Sequence, residues 1–192
     1  ILNQSVNSTG TCFNITANNL TLDGDGYLVN YSQSATGNGV KNIGYNNSIA
    51  RNLNIVQGIA NSNSHAFNYS GANNSKIESN AIKTTGSFSR GIYLSSSSKS
   101  TIQSNNITTS TNAIFLFAKS NDNKIKFNNI NTSSTASLGI YSVNSTFNTI
   151  QSNKITTLDS DSHGIGLGLY SDNNTLQNNK IIRPLLAINK NE

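Results

Sequence analysis

The sequence predicts an all-β fold, a parallel β-helix solenoid of about seven coils. Three observations predict it. First, the phrase Ile102-Gln103-Ser104-Asn105-Asn106-Ile107 is rewritten as Ile77-Glu78-Ser79-Asn80-Ala81-Ile82, as Ile125-Lys126-Phe127-Asn128-Asn129-Ile130, as Ile150-Gln151-Ser152-Asn153-Lys154-Ile155 and as Leu176-Gln177-Asn178-Asn179-Lys180-Ile181. A worn copy covers 49–54, where Asn52 holds the place of the leading asparagine and the next apolar residue slips to Ile55. Second, Asn52, Asn80, Asn105, Asn128, Asn153 and Asn179 follow one another at intervals of 23 to 28 residues, the period of stacked repeats. Third, a second apolar column, Phe67, Ile92, Ile114, Ile140, Ile165 and Ile188, recurs about ten residues after each phrase.

Within a phrase, apolar and polar residues alternate, which is the strand period and not the helical one. Each repeat therefore holds two or three short strands, joined by turns of Ser, Thr, Asn and Gly. Each strand lies beside its counterpart in the next repeat, so the sheets are parallel and the coils sit about 4.8 Å apart. The leading Asn of each phrase belongs at a sharp bend with its side chain turned inward. There one amide can donate to the carbonyl of the next, which satisfies polar groups that are costly to bury singly. The expected ladder is Asn52, Asn80, Asn105, Asn128, Asn153 and Asn179.

In chain order, 11–22 reads as strands of the first coil, with Asn18-Asn19-Leu20-Thr21-Leu22 as its clearest strand. Asp23-Gly24-Asp25-Gly26 makes a tight turn, and Tyr27-Leu28-Val29 continues the coil. The Gly-rich stretch 32–39 is a side loop or a wider coil, 40–70 reads as a less regular passage, and regular repeats begin at Lys76. The only proline, Pro184, interrupts any helix near the end, and 181–188 reads as a final edge strand with a turn. Neither end of the sequence carries an evident cap. The expectation is one domain over 1–192, either a mature or excised piece of a larger chain or a self-stacking subunit. The absence of Met fits a trimmed piece. Asp23 and Asp25 in the first coil, facing Arg183 and Lys190 against Glu192 in the last, favour end-to-end self-association, a contact that propagates as a filament.

These repeats resemble the right-handed parallel β-helix of the pectin-lyase-like superfamily, and most closely the Asn- and Ser-rich version in surface and periplasmic NosD-like proteins. The resemblance covers nearly the whole chain. It implies the fold, and it leaves lyases, hydrolases, epimerases, tailspikes, adhesins and passive surface domains as functions. In the superfamily's pectin hydrolases, paired aspartates and a His in a Gly-His-Gly element do acid–base work on the sugar bond. The matching stretch here is Asp159-Ser160-Asp161-Ser162-His163-Gly164, so Asp159, Asp161 and His163 are the catalytic candidates. The other hydrolase elements, the acidic cage of the lyases and the Asp-Pro-His of the epimerases have no counterpart in the sequence. Solvated turn residues are the simpler reading of both aspartates.

Composition narrows the rest. Hydrophobic residues make up 34%, but their regular placement argues against disorder. Charged residues are only 11%, so Ser, Thr and Asn carry the solvent faces, as suits an extracellular or cell-surface protein. The net charge of +5 comes from scattered lysines rather than a basic stripe, which excludes a nucleic-acid interface. No run of about 18 apolar residues exists, so no membrane span is expected. Two distant His, the lone Cys12 in Thr11-Cys12-Phe13 and no Met do not compose a copper or zinc site, so no metal and no cofactor is expected, and Cys12 reads as a buried structural thiol.

Just before the second apolar strand, successive coils carry His65, Arg90, Asn112, Leu138 and His163. His65 and Arg90, one strand spacing apart, form a polar patch able to hold a sugar carboxylate, although a polar residue at a strand entrance is the plainer reading. Sequons are frequent in an Asn- and Ser-rich chain. Those placed in turns, Asn46, Asn73, Asn144 and Asn173, are the accessible acceptors for N-glycosylation. The functional expectation is an extracellular structural or adhesive β-helix module, self-assembling head to tail, with polysaccharide or glycan as a partner. A carbohydrate-active enzyme and a tailspike-like glycan-binding domain are the alternatives.

Overall fold

The computed structural model describes residues 1–59, 62–159 and 161–183. Those residues form three parallel sheets and no helix, wound into a solenoid of about seven turns. One coil shows the path: Lys76–Glu78 in sheet C, Ala81–Thr84 in sheet A, then Ile92–Ser95 in sheet B, before Thr101–Gln103 returns to sheet C. Of the final strand and turn expected over 181–188, Lys180–Ile182 is a strand of sheet A, while 184–188, with Ile188, and Lys190 lie outside the described residues.

Alternation along each strand builds the interior. Sheet A stacks Val29, Ile55, Ile82, Ile107, Ile130 and Ile155 in register. Sheet C stacks Ala50, Ile77, Ile102, Ile125 and Ile150, and sheet B stacks Val40, Phe67, Ile92, Ile114 and Ile140. All of these side chains are buried, and each large one contributes about 1.5–3 kcal/mol of apolar burial. The passage over 40–70, expected to be less regular, pairs in register like the rest: Val40–Ile43 lies along Phe67–Ser70 and Ile49–Arg51 along Lys76–Glu78. Its irregularity is confined to connecting segments, which vary without disturbing the ladder beside them.

At the corner between sheets C and A, Nδ2 of Asn80 donates to Oδ1 of Asn105 at 3.0 Å, and Asn105 likewise to Asn128 at 3.0 Å. Asn128 continues the chain to Asn153 at 2.9 Å, and Asn153 to Asn179 at 2.9 Å. Each Oδ1 also accepts the backbone N–H of the preceding coil's asparagine, and each Nδ2 reaches a strand carbonyl, as Asn128 does with Ile102 at 3.0 Å.

Asn52 does not join this column. Leu53 stands there instead, its backbone N–H bonded to Oδ1 of Asn80 at 3.0 Å. Asn52 occupies the position before it, where the chain turns through the left-handed region at φ 54°, as Ser79, Ser104, Phe127, Ser152 and Asn178 do in their coils. Asn tolerates that conformation better than most residues, which accounts for the one-place slip. The exposed Asn52 donates to Asp23, and with the Asp25 N–H and the Arg51 guanidinium it holds that carboxyl below the usual range.

A second column, at the corner between sheets B and C, was not foreseen. Ser75, Ser100, Asn123, Asn148 and Asn174 each present a side-chain oxygen to the backbone N–H one coil back, the first of them to Ser48. Its mixed Ser and Asn identity hides it from a search for one repeated letter. Cys12 is half-buried at the first coil, its Sγ donating to the Asn30 carbonyl at 3.6 Å, and burial pushes the thiol up to about 11.

Candidate functional site

The C–A corner turns within 79–80, 104–105, 127–128 and 152–153, whereas the A–B corner uses segments 85–91, 110–113 and 133–137 that differ in length and sequence. These three segments border a groove of about 440 Å³, within the size range of small-ligand sites. Its lining includes Ser87, Phe88, Arg90, Thr111, Asn112 and Thr135, and Arg90 is the one charged residue among the lining side chains. Phe88, 65% exposed, sits on the wall with φ 54°, an unfavourable backbone conformation for a bulky residue. Such strain marks positions where something other than stability has chosen the side chain.

Arg90 connects the groove to the outer face of sheet B. There Tyr93, Phe115 and Tyr141 are register partners in successive coils and point outward, because Ile92 and Leu94 on either side of Tyr93 point in. The Tyr93 and Phe115 ring centroids lie 5.7 Å apart; Phe115 and Tyr141 stack at 5.2 Å and 8°. Phe117, 39% exposed, extends the strip 5.7 Å from Phe115. The next position is Gly166, where a Cβ would come within 2.1 Å of the Leu138 side chain and 3.2 Å of the Tyr141 ring. Glycine there lets Leu138 and Tyr141 lie flat. The Arg90 guanidinium carbon rests 4.6 Å from the centroid of Phe115 and 5.3 Å from that of Tyr93, a cation–π contact that holds the head group in place.

His65, paired with Arg90 in the sequence reading, is not part of the open patch. It is 5% exposed, its ring lies 5.0 Å from Tyr93, and its Nδ1 accepts the Arg90 backbone N–H at 3.1 Å. The ring proton therefore sits on Nε2. Burial, reinforced by the Arg90 charge, lowers His65 from 6.5 to about 4, so it is a neutral acceptor at ordinary pH. Burial also lowers Arg90 from its ordinary value, yet a guanidinium keeps its charge.

Of the three catalytic candidates, Asp159 and Asp161 lie ahead of the strand His163–Leu167, and His163 is its first residue. Asp159 uses both carboxylate oxygens locally: Oδ1 accepts the Asp161 N–H at 3.0 Å and Oδ2 accepts the Thr135 hydroxyl at 3.2 Å. Asp161 and His163 are exposed, with no side-chain hydrogen bond or ion pair among the described residues. The sequon asparagines divide. Asn144 and Asn173 are exposed at left-handed turn positions. Asn46 and Asn73 are half-buried, with Oδ1 atoms that accept the N–H of Asn73 and Ser98 at 2.8 Å. On the outer face of sheet C, Lys76 pairs with Glu78 at 3.3 Å and Gln103 donates to Glu78 at 2.7 Å, so that face is mixed and nearly neutral.

A family model described as periplasmic copper-binding protein (NosD) matches residues 3–187. The chain belongs to the NosD family. No curated protein matches the chain, and no solved structure does. The family's periplasmic description agrees with the extracellular or cell-surface location expected from composition, and no described helix is long and apolar enough to cross a membrane. NosD membership implies copper, and the donors present do not fit it. The Cys12 thiol is held protonated, the His65 Nδ1 is occupied by a backbone N–H, and among the described residues no three His, Cys, Asp or Glu side chains converge.

The aromatic strip was missed in the sequence although a signal existed. Tyr93, Phe115 and Tyr141 each follow directly on a member of the second apolar column, Ile92, Ile114 and Ile140. An apolar residue on both faces of a strand is the mark of an outer face that is also in use.

Proposed function

We propose that this NosD-family chain is a rigid structural and adhesive module that holds glycan along the groove and the outer face of sheet B. The observation that carries the reading is the stacked strip of Tyr93, Phe115 and Tyr141 beside a groove lined with hydroxyls. The outward edges of the stacked rings and the exposed Phe117 offer apolar surface to the C–H side of a pyranose, and Ser and Thr hydroxyls exchange hydrogen bonds with its hydroxyl groups. The asparagine and serine columns suit such a module, because a platform fixed coil by coil loses little entropy on binding. End-to-end self-association into filaments belongs to the same proposal as a way of repeating the platform.

The test is titration of the chain with neutral and acidic oligosaccharides, read by calorimetry, with Phe115→Ala as the control. Binding that this variant weakens supports the reading; absence of binding across the panel removes it. Negative-stain microscopy with light scattering checks assembly, where discrete monomers would remove the filament. The hydrolase alternative keeps one test. Glycan cleavage that persists in the triple variant Asp159→Ala, Asp161→Ala, His163→Ala would remove these three as its catalytic residues, and no cleavage by the unaltered chain would sink the alternative itself.

A further inference from the structure

Resting on the glycan-binding reading, the geometry points to a specific ligand class: sugars that carry an anionic substituent, read by Arg90. Most of the solvent-facing cations of this chain are lysines on flexible stems. Arg90 differs in three ways. Its guanidinium lies over two rings at once, with Phe115 at 4.6 Å and Tyr93 at 5.3 Å, so its plane is fixed before a ligand arrives. Its backbone is fixed as well, by the bond from its N–H to His65. Finally, the guanidinium has no carboxylate partner among the described residues, where the ion pairs are Arg51 with Asp23 and Lys76 with Glu78.

The hydrogen-bonding capacity of Arg90 is also largely unused. Nη1 makes a 3.3 Å bond to the Phe88 carbonyl, and buried Nε has no partner. A guanidinium carries five N–H donors in a planar fork that matches a carboxylate or a sulfate. A half-buried, uncompensated cation at a groove with no acidic residue in its lining favours an anion there more than a solvated lysine does. The neighbouring geometry sets the size. The groove crosses three coils, about 10 Å at the strand spacing, with Arg90 in the first of them and Thr135, bonded to Asp159, in the third. An anionic sugar at the Arg90 end would continue as neutral, hydroxyl-bearing sugar toward Thr135 and the Asp159 carboxylate bonded to it, where a second anion would be repelled, so one chain direction is preferred.

Matched pairs test this. The whole chain is titrated with a hyaluronan tetrasaccharide and its carboxyl-reduced neutral form, then with a sulfated galactan tetrasaccharide and its desulfated form. The expected result is at least tenfold tighter binding of one anionic member than of its neutral partner, with the preference shrinking as salt rises. The two pairs distinguish carboxylate from sulfate. Arg90→Gln is expected to abolish the preference between charged and neutral members of a pair, and Arg90→Lys to restore only part of it, since an ammonium cannot stack or bind in a fork. Equal affinity for charged and neutral members, unchanged in Arg90→Gln, overturns the inference and leaves glycan binding standing. No affinity for any of the four overturns both. Because the salt dependence is measured on the unaltered chain, the inference stays testable if Arg90→Gln folds poorly.

Discussion

The C–A and A–B corners of the same coils face opposite demands. At the first, Asn80, Asn105, Asn128, Asn153 and Asn179 do one job five times, and the chain turns in two residues each time. At the second, each coil differs: Phe88 and Arg90 in one, Thr111 and Asn112 in the next, Thr135 and Ala136 in the third. Repetition belongs to the part that must satisfy buried polar groups from neighbour to neighbour. Variation belongs to the part that faces solvent and can recognise a partner. In a stack whose coils touch only their neighbours, a corner freed from the ladder can change without unsettling the core.

The largest effect is expected from breaking the first corner. Asn128→Ala removes the acceptor of Asn105 and the donors to Asn153 and Ile102, leaving buried groups unpaired at a cost of about 4 kcal/mol, read as a lower urea midpoint. Asn52→Ala, one place outside the column, should cost about 1 kcal/mol, the penalty for a left-handed Ala. Equal losses in the two variants would mean that the column is not what holds the coils.

Acid should sharpen the contrast next. His65 has its pKa lowered to about 4 in the folded chain against 6.5 in the unfolded one, so the unfolded chain takes up the proton first. Its contribution is present above pH 6.5 and is lost as pH falls toward 4, by on the order of 3 kcal/mol in all. Denaturant midpoints across that window should fall in the unaltered chain and flatten in His65→Gln, which keeps an acceptor for the Arg90 N–H. An identical slope in both would assign the loss to other groups.

At the second corner, stability and binding should separate. Phe115→Ala removes the central ring of the strip and is expected to weaken glycan binding about tenfold, roughly 1.4 kcal/mol, in calorimetric titration. The smallest effect is the most discriminating. Phe88→Gly and Phe127→Gly both relieve a left-handed backbone, at φ 54° and 57°, and each should stabilise the chain by about 1 kcal/mol. Only Phe88 lines the groove, so only Phe88→Gly should reduce binding. A stability gain with undiminished affinity in both would remove Phe88 from the site.

The amino-acid order alone determined the period, the parallel strands and five of the six ladder asparagines, because stacked coils force equivalent residues to meet the same neighbours every turn. It placed Asn52 wrongly by one residue, since an asparagine suits both the inward column and the left-handed bend beside it, and only the pairing of Ile49 with Lys76 fixes which one it fills. The Ser and Asn column escaped because two residue types supply the same oxygen to a backbone N–H. The site was less legible still. Arg90 could be named as a candidate, but His65 beside it looked like its equal in the sequence. The fold buries one against Tyr93 as a backbone acceptor and lays the other over Tyr93 and Phe115. That choice is made by the path of the A–B segments, whose irregular lengths no repeat constrains. Tertiary structure alone brings residues about a coil apart in sequence into one face.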